Sequence, residues 1–323
     1  RINAWFPQSE QASERLRQFI LGKRYHVVTR EQVVLFRGLA VHFDELMPKL
    51  ARPLTCLERV GEFASHYGAP KQFFKAATNP YLLNTLFQLF DQSNFAYRLL
   101  CQQPGVMDEL LQESPRRLKS RVDLAGEMCL LPSGEDFSDY LWLYVKAEQV
   151  RLTLGVILHG LTPEQTSRAY SELADATLGA TLALADPDGL LAVFATGKTR
   201  PGDMMLGSDL DLLLVADRKH LHEAIRCAQE LIRLLRHNAG QGAMYDVDLR
   251  LRPYGKEGPL VTTPEALAHY HASKGAHAWE RLSLVRARWV AGSPEIAKAT
   301  QALQDSLLTG LSEETLRRDL WEV

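Results

Sequence analysis

Cysteine is scarce in this 323-residue chain, with four residues at positions 56, 101, 129 and 227 and no CxxC pair. That spacing excludes a disulfide framework and a zinc site, and points to reduced, small apolar side chains in a cytosolic protein. No run of about 18 uncharged apolar residues occurs and no signal peptide opens the chain, so neither a membrane partner nor export is expected. Charge of one sign is not in excess: 37 Lys and Arg stand against 39 Asp and Glu, a net of −2. Nucleic-acid binding through bulk charge is therefore disfavoured, although local basic patches stay open. Internal repeats and low-complexity tracts are absent too. The first residue is not Met and the last segment stops inside a helical pattern, so the expectation is a cytoplasmic fragment of something longer.

The residues that are present suit two globular domains: 46% apolar and 24% charged, in a chain too long for one comfortable core. Helix signals dominate the first 130 residues. Thr29 and Gln32 form a candidate capping box ahead of Val33, Val34, Phe36, Val41, Phe43 and Leu46. Pro53 and Gly68 bracket a second helix, Asn79-Pro80 opens a third, Ser93 caps a fourth and Pro104 starts a fifth. A charged stretch, Arg116 to Arg121, and the turn at Pro132-Ser133-Gly134 mark a boundary. Long helices are expected at Asp136 to Leu158 and Pro163 to Leu184. Strands are expected at Leu190 to Ala195, Leu210 to Ala216, Met244 to Leu251 and Leu260 to Thr262, with a helix at Lys219 to His237. Helices resume at Pro264 and again at Ser293-Pro294-Glu295. The fold class is α+β: a helical domain over 1–132, a domain with a small mixed sheet over 133–292, and the start of a further helical domain over 293–323.

Carboxylates supply the chemistry. Asp209 and Asp211 lie two apart in Gly207-Ser208-Asp209-Leu210-Asp211, and Asp246 and Asp248 follow in Tyr245-Asp246-Val247-Asp248-Leu249-Arg250-Leu251-Arg252-Pro253. Residues i and i+2 of a strand share a face, and anions that close are tolerated mainly around a cation. Oxygen ligands suit Mg²⁺ or Mn²⁺, and two such ions about 4 Å apart support in-line displacement at phosphorus. Asp209, Asp211 and Asp248 are the preferred ligands, with Asp246 either replacing Asp248 or standing at the rim. Asp248 is also the candidate general base. Gly207 allows close approach of a phosphate, and Ser208 offers a hydroxyl and an N–H. Arg250 and Arg252 either balance the carboxylates or grip phosphate. Glu280, Arg286 and Arg288 are expected on a later helix, and the histidines at 220, 222, 269, 271 and 277 have no zinc spacing.

At these residues the chain resembles the glutamine synthetase adenylyltransferases, within the DNA polymerase β-type nucleotidyltransferases. The resemblance rests on Gly197-Lys198 through Ser208-Asp209-Leu210-Asp211, on Val247-Asp248-Leu249-Arg250-Leu251-Arg252-Pro253, and on Trp279-Glu280 leading to Arg286-Ala287-Arg288. It implies a polymerase β-like domain after central helices. It also implies ATP as substrate, bound with help from Lys198, Gly207, Ser208, Arg250 and Arg252. Two Mg²⁺ would sit on Asp209, Asp211 and Asp248, with glutamine synthetase as protein substrate and a PII-type signalling protein as a further partner. The implied activity is transfer of AMP to a tyrosine. Phosphorolytic removal of AMP, or a decayed site that only binds, are the alternatives. The chain departs from the family pattern at Thr199-Arg200-Pro201, where Leu-Gly-Gly is usual, and at Asp203 in place of Glu. Proline restricts φ and removes an N–H, so this loop differs from its relatives.

Overall fold

In the computed structural model the described residues are 5–6, 11–21, 29–67, 70–112, 116–197, 204–240, 242–272 and 277–310. Lys198, Thr199-Arg200-Pro201, Asp203 and Gly68 lie outside them, as does the side chain of Gln32. The chain divides into two units, Arg1–Arg117 with Lys146–Thr162, and Leu118–Val145 with Pro163–Val323. Residues 118–132 group with the sheet-bearing unit, as does the helix Pro294–Gly310.

The first unit is helical: α1 (Ala12–Leu21), α2 (Arg30–Leu46), α3 (Pro53–His66), α4 (Pro70–Ala76), α5 (Pro80–Gln92), α6 (Asn94–Gln102) and α7 (Val106–Gln112). Its core is aromatic. Phe43 is fully buried, with its ring centroid 5.4 to 6.2 Å from those of Trp5, Phe19, Phe36 and Phe87. Edge-to-face geometry at such separations adds to area burial. Val34 and Val41, expected to be apolar core positions of α2, are instead exposed, while Leu39 takes the inner face. Caps behave as expected: Asn79 accepts from the Tyr81 N–H and Ser93 from the Ala96 N–H. The start of α3 is closed from afar, since buried Asp91 accepts from the backbone N–H groups of Ala51 and Arg52 at 2.9 Å. A carboxylate there satisfies orphan donors and complements the helix dipole.

Helix α8 (Arg121–Met128) forms where a boundary was expected, closed by a Ser120/Asp123 capping box. The Arg121 guanidinium donates to the Val290 carbonyl, which ties α8 to the sheet. The long helix α9 (Phe137–His159) belongs to the second unit up to Val145 and to the first from Lys146. Helix α10 (Pro163–Ala185) then leads into β1 (Leu191–Ala195), β2 (Leu210–Ala216), α11 (Leu221–Leu235), β3 (Val247–Asp248), α12 (Pro264–Ala272), α13 (Ala278–Val285), β4 (Arg288–Gly292) and α14 (Pro294–Gly310).

The sheet order is β3-β2-β1-β4, antiparallel except for the β2/β3 pair, so the α+β class with a small mixed sheet holds. One face carries Ala192, Phe194, Leu213 and Val215, covered by Leu267, Leu284, Ala287 and Ala297. Alternation along β2 sets Asp211 on that same face, where the apolar cover ends.

Three sequence expectations give way. The strand expected over Met244 to Leu251 shortens to Val247–Asp248, because the chain turns at Leu249 to Arg252. The strand expected over Leu260 to Thr262 is a single bridge between Val215 and Thr262. Arg288 does not share a helix with Glu280; it begins β4 and forms a two-pronged ion pair with Asp175 at 2.7 and 2.9 Å.

Candidate active site

Parallel pairing of β2 with β3 places Leu210 opposite Val247 and Asp211 opposite Asp248. Residues paired across a ladder project to the same face, so both side chains are set on one face although 37 positions separate them in sequence. Asp209 stands one residue ahead of β2, exposed, and the Leu210 N–H donates to the Asp246 carbonyl at 2.8 Å. That bond fixes the register. Arg236, at the C-terminus of α11, donates to the Val247 carbonyl at 2.9 Å and braces the short strand from outside the sheet.

A cleft of about 300 Å³ opens beside these strands, lined by Asp209, Asp246, Asp248, Arg236, Arg250, Arg252 and Lys256 among others. Asp211 is half-buried next to it, under Gly197. A Cβ at Gly197 would fall 2.3 Å from Asp211 Oδ2, and this residue has φ of +52°. Glycine is therefore required twice over, by backbone conformation and by the carboxylate it covers.

The cations that line the cleft among the described residues are held differently. Arg252 donates to the carbonyls of Leu249, Gly258 and Lys256, so it organises the loop after β3 and is not turned to the carboxylates. Arg250 is engaged with Asp248: its backbone N–H donates to Oδ1 at 2.8 Å, and its Nε to Oδ2 at 2.6 Å. A second guanidinium nitrogen, Nη2, also pairs with Oδ2. Hydrogen bonding from Arg250 holds the Asp248 carboxyl below the usual carboxylate range against the opposing effect of desolvation. Reciprocally, Arg250 grips its proton more tightly, chiefly through Asp248 and further through Asp211 and Asp209.

Ser208 closes a tight turn. Its N–H donates to the Met205 carbonyl and its hydroxyl accepts from the Met205 N–H at 3.0 Å, with Gly207 at φ +81°. The N–H expected to serve a phosphate is thus spent within the turn, and only the hydroxyl hydrogen is left to donate outward. Gly207 faces open space on its Cβ side. Glu280 accepts from the His277 N–H and the Tyr270 hydroxyl, at 2.8 and 2.9 Å, capping α13 instead of facing the cleft.

Whether these residues suit a divalent cation is decided by the donor set. Oxygen donors on paired strands fit a hard cation, and the Gly197 cradle leaves no room for another side chain over Asp211. Among the described residues no three His, Cys, Asp or Glu side chains already converge as a cation cage, and Asp248 is paired with Arg250.

The family model for glutamate-ammonia ligase adenylyltransferase matches residues 83–303. The chain belongs to this family. Relatives of this adenylyltransferase family include proteins named bifunctional glutamine synthetase adenylyltransferase/adenylyl-removing enzyme. That of Rhodopseudomonas palustris is 29% identical over 253 residues, covering 70% of this chain and 26% of the relative. The Neisseria meningitidis protein is 28% identical over 335 residues, covering 98% and 37%. The Methylococcus capsulatus protein is 30% identical over 303 residues, covering 80% and 31%. The chain thus spans roughly a third of the length of the curated relatives it matches. No helix among the described residues is long and apolar enough to cross a membrane.

Arg236 and Lys256 are cleft residues that the sequence pattern did not single out. Arg236 reads as an ordinary helix-end cation, and Lys256 sits in a turn marked only by Gly255 and Gly258.

Proposed function

We propose that the chain carries an adenylyltransferase centre that passes AMP from ATP to a tyrosine hydroxyl of glutamine synthetase. The observation that carries this reading is the register pairing of Asp211 with Asp248 beside Asp209. The substrate is taken from the names of the relatives, which describe both addition and removal of an adenylyl group, and addition is our own reading of the direction. The bond formed joins the tyrosine oxygen to the α-phosphorus, the bond broken releases pyrophosphate, and the phenolic proton passes to a base. A Mg²⁺ or Mn²⁺ held by Asp209, Asp211 and Asp248 would supply charge neutralisation and polarise the phosphoryl oxygens. Asp248, lining the cleft, is the group assigned to accept the phenolic proton. Arg236 and Lys256 also line the cleft, and their charge would favour a triphosphate there. Lys198, next in sequence to Gly197, is the remaining candidate phosphate contact.

Incubating the chain with ATP labelled at the α-phosphate, Mg²⁺ and unmodified glutamine synthetase should place label on the acceptor protein. Absence of transfer, or transfer untouched by Asp209→Asn, rejects the proposal. Supplying AMP-modified acceptor with inorganic phosphate and assaying for ADP separates addition from removal.

Gly197→Ala is expected to slow transfer far more than it lowers the melting temperature. The added methyl must displace the Asp211 carboxylate, and the left-handed backbone costs a side chain about 1–2 kcal/mol. A variant with wild-type rate would show that the Gly197 cradle does not matter.

A further inference from the structure

The cleft carries its own counter-cation. Three carboxylates stand close enough to act on one guanidinium, that of Arg250, and both oxygens of Asp248 are taken by that single residue. The other arginines there are committed to backbone, Arg236 to the Val247 carbonyl and Arg252 to three carbonyls of its own loop. Arg250 differs from them in two respects. Its partner is a proposed cation ligand, and its side chain is 67% exposed, which leaves room for a change of rotamer.

We propose that Arg250 is a two-position residue: it neutralises Asp248 while the site lacks a divalent cation, and turns to the phosphate oxygens once metal-nucleotide takes the carboxylate. The proposal rests on the reading of Asp209, Asp211 and Asp248 as the cation ligands. Guanidinium and divalent cation compete for the same Oδ2 lone pairs, so the arginine weakens binding of metal alone and rewards metal that arrives with a phosphate chain. A planar fork suits both partners, since carboxylate and phosphate present the same spacing of oxygens. Asp248 thereby stays paired in either state, and no uncompensated charge appears between turnovers.

Titration of the nucleotide-free chain with Mn²⁺, followed by the electron paramagnetic resonance signal of free Mn²⁺, tests this without relying on turnover. Arg250→Gln should bind Mn²⁺ roughly twofold to fivefold more tightly than wild type, the scale of an exposed ion pair removed from competition. Arg250→Lys, which keeps charge but loses the fork, should fall between. With Mn²⁺ saturating, the affinity for ATP should move the opposite way and weaken in Arg250→Gln. If Asp248→Asn weakens Mn²⁺ binding but Arg250→Gln leaves it unchanged or looser, the two-position role is overturned and the carboxylate site stands. If wild type does not bind Mn²⁺, or Asp248→Asn has no effect, the carboxylate reading falls and this proposal falls with it.

Discussion

Asp211→Asn should lower AMP transfer at least about a hundredfold, the scale seen when one transition-state-stabilising group is removed from a preorganised site. The substitution is nearly isosteric, and the backbone contact from the Thr196 N–H to the Asp211 carbonyl, 2.8 Å, is unaffected by it. What changes is charge at the point where β2 and β3 bring two carboxylates together. An amide cannot offset a divalent cation, so loss of rate should come without loss of fold. Initial rates of label transfer, taken beside thermal unfolding of the same preparations, separate the two effects. A rate within tenfold of wild type at an unchanged melting temperature would remove Asp211 from the centre.

Phe43→Ala should cost the protein about 3–5 kcal/mol of stability, the range for deleting a buried phenyl ring. Phe43 is fully buried and lies at the middle of a ring cluster, with Trp5, Phe19, Phe36 and Phe87 around it. Large rings on several sides cannot collapse into the space left behind, which places the loss toward the upper end. Val41→Ala is the natural control, since that side chain is 62% exposed on the same helix and should change stability by about 0.5 kcal/mol or less. Urea midpoints compared at equal slope read both. A loss below about 1 kcal/mol for Phe43→Ala would mean that the cluster relaxes around the gap.

Much of the fold was legible because its signals are local. The Leu and Val run of β2, bounded by Ser208-Asp209 and Asp217, gives the strand with its limits as expected. Pro163 at the head of α10 and Asn79, Ser93 and Ser293 ahead of their helices give the starts. Failures occur where tertiary partners decide. Arg288–Gly292 looks like a continuation of α13, but pairs with β1 through a register shift at Val193/Phe194. Gly292 is its one local signal, with φ of +90° and the Leu191 carbonyl where a Cβ would sit. The run after Val247 alternates as a strand should, yet Arg252 spends its guanidinium on carbonyls and the chain turns.

The candidate site was legible as a set of carboxylates and not as an arrangement. Shared facing of Asp209 and Asp211 follows from spacing alone, whereas the pairing of Asp211 with Asp248 needs the register of β3. Arg250 at i+2 from Asp248 left charge balance and phosphate contact equally open. The side-chain geometry pairs Arg250 with Asp248. Arg252, the same residue type two positions on, does neither.

The brevity of β3 reaches beyond catalysis. A sheet border is where one molecule can zip onto another, and its hazard grows with the length of unpaired backbone it displays. Here that border holds two residues, followed at once by a turn and flanked by arginine and lysine side chains. On that side the protein offers almost no strand to copy, and the longer border strand is β4, Arg288–Gly292, at the opposite side of the sheet.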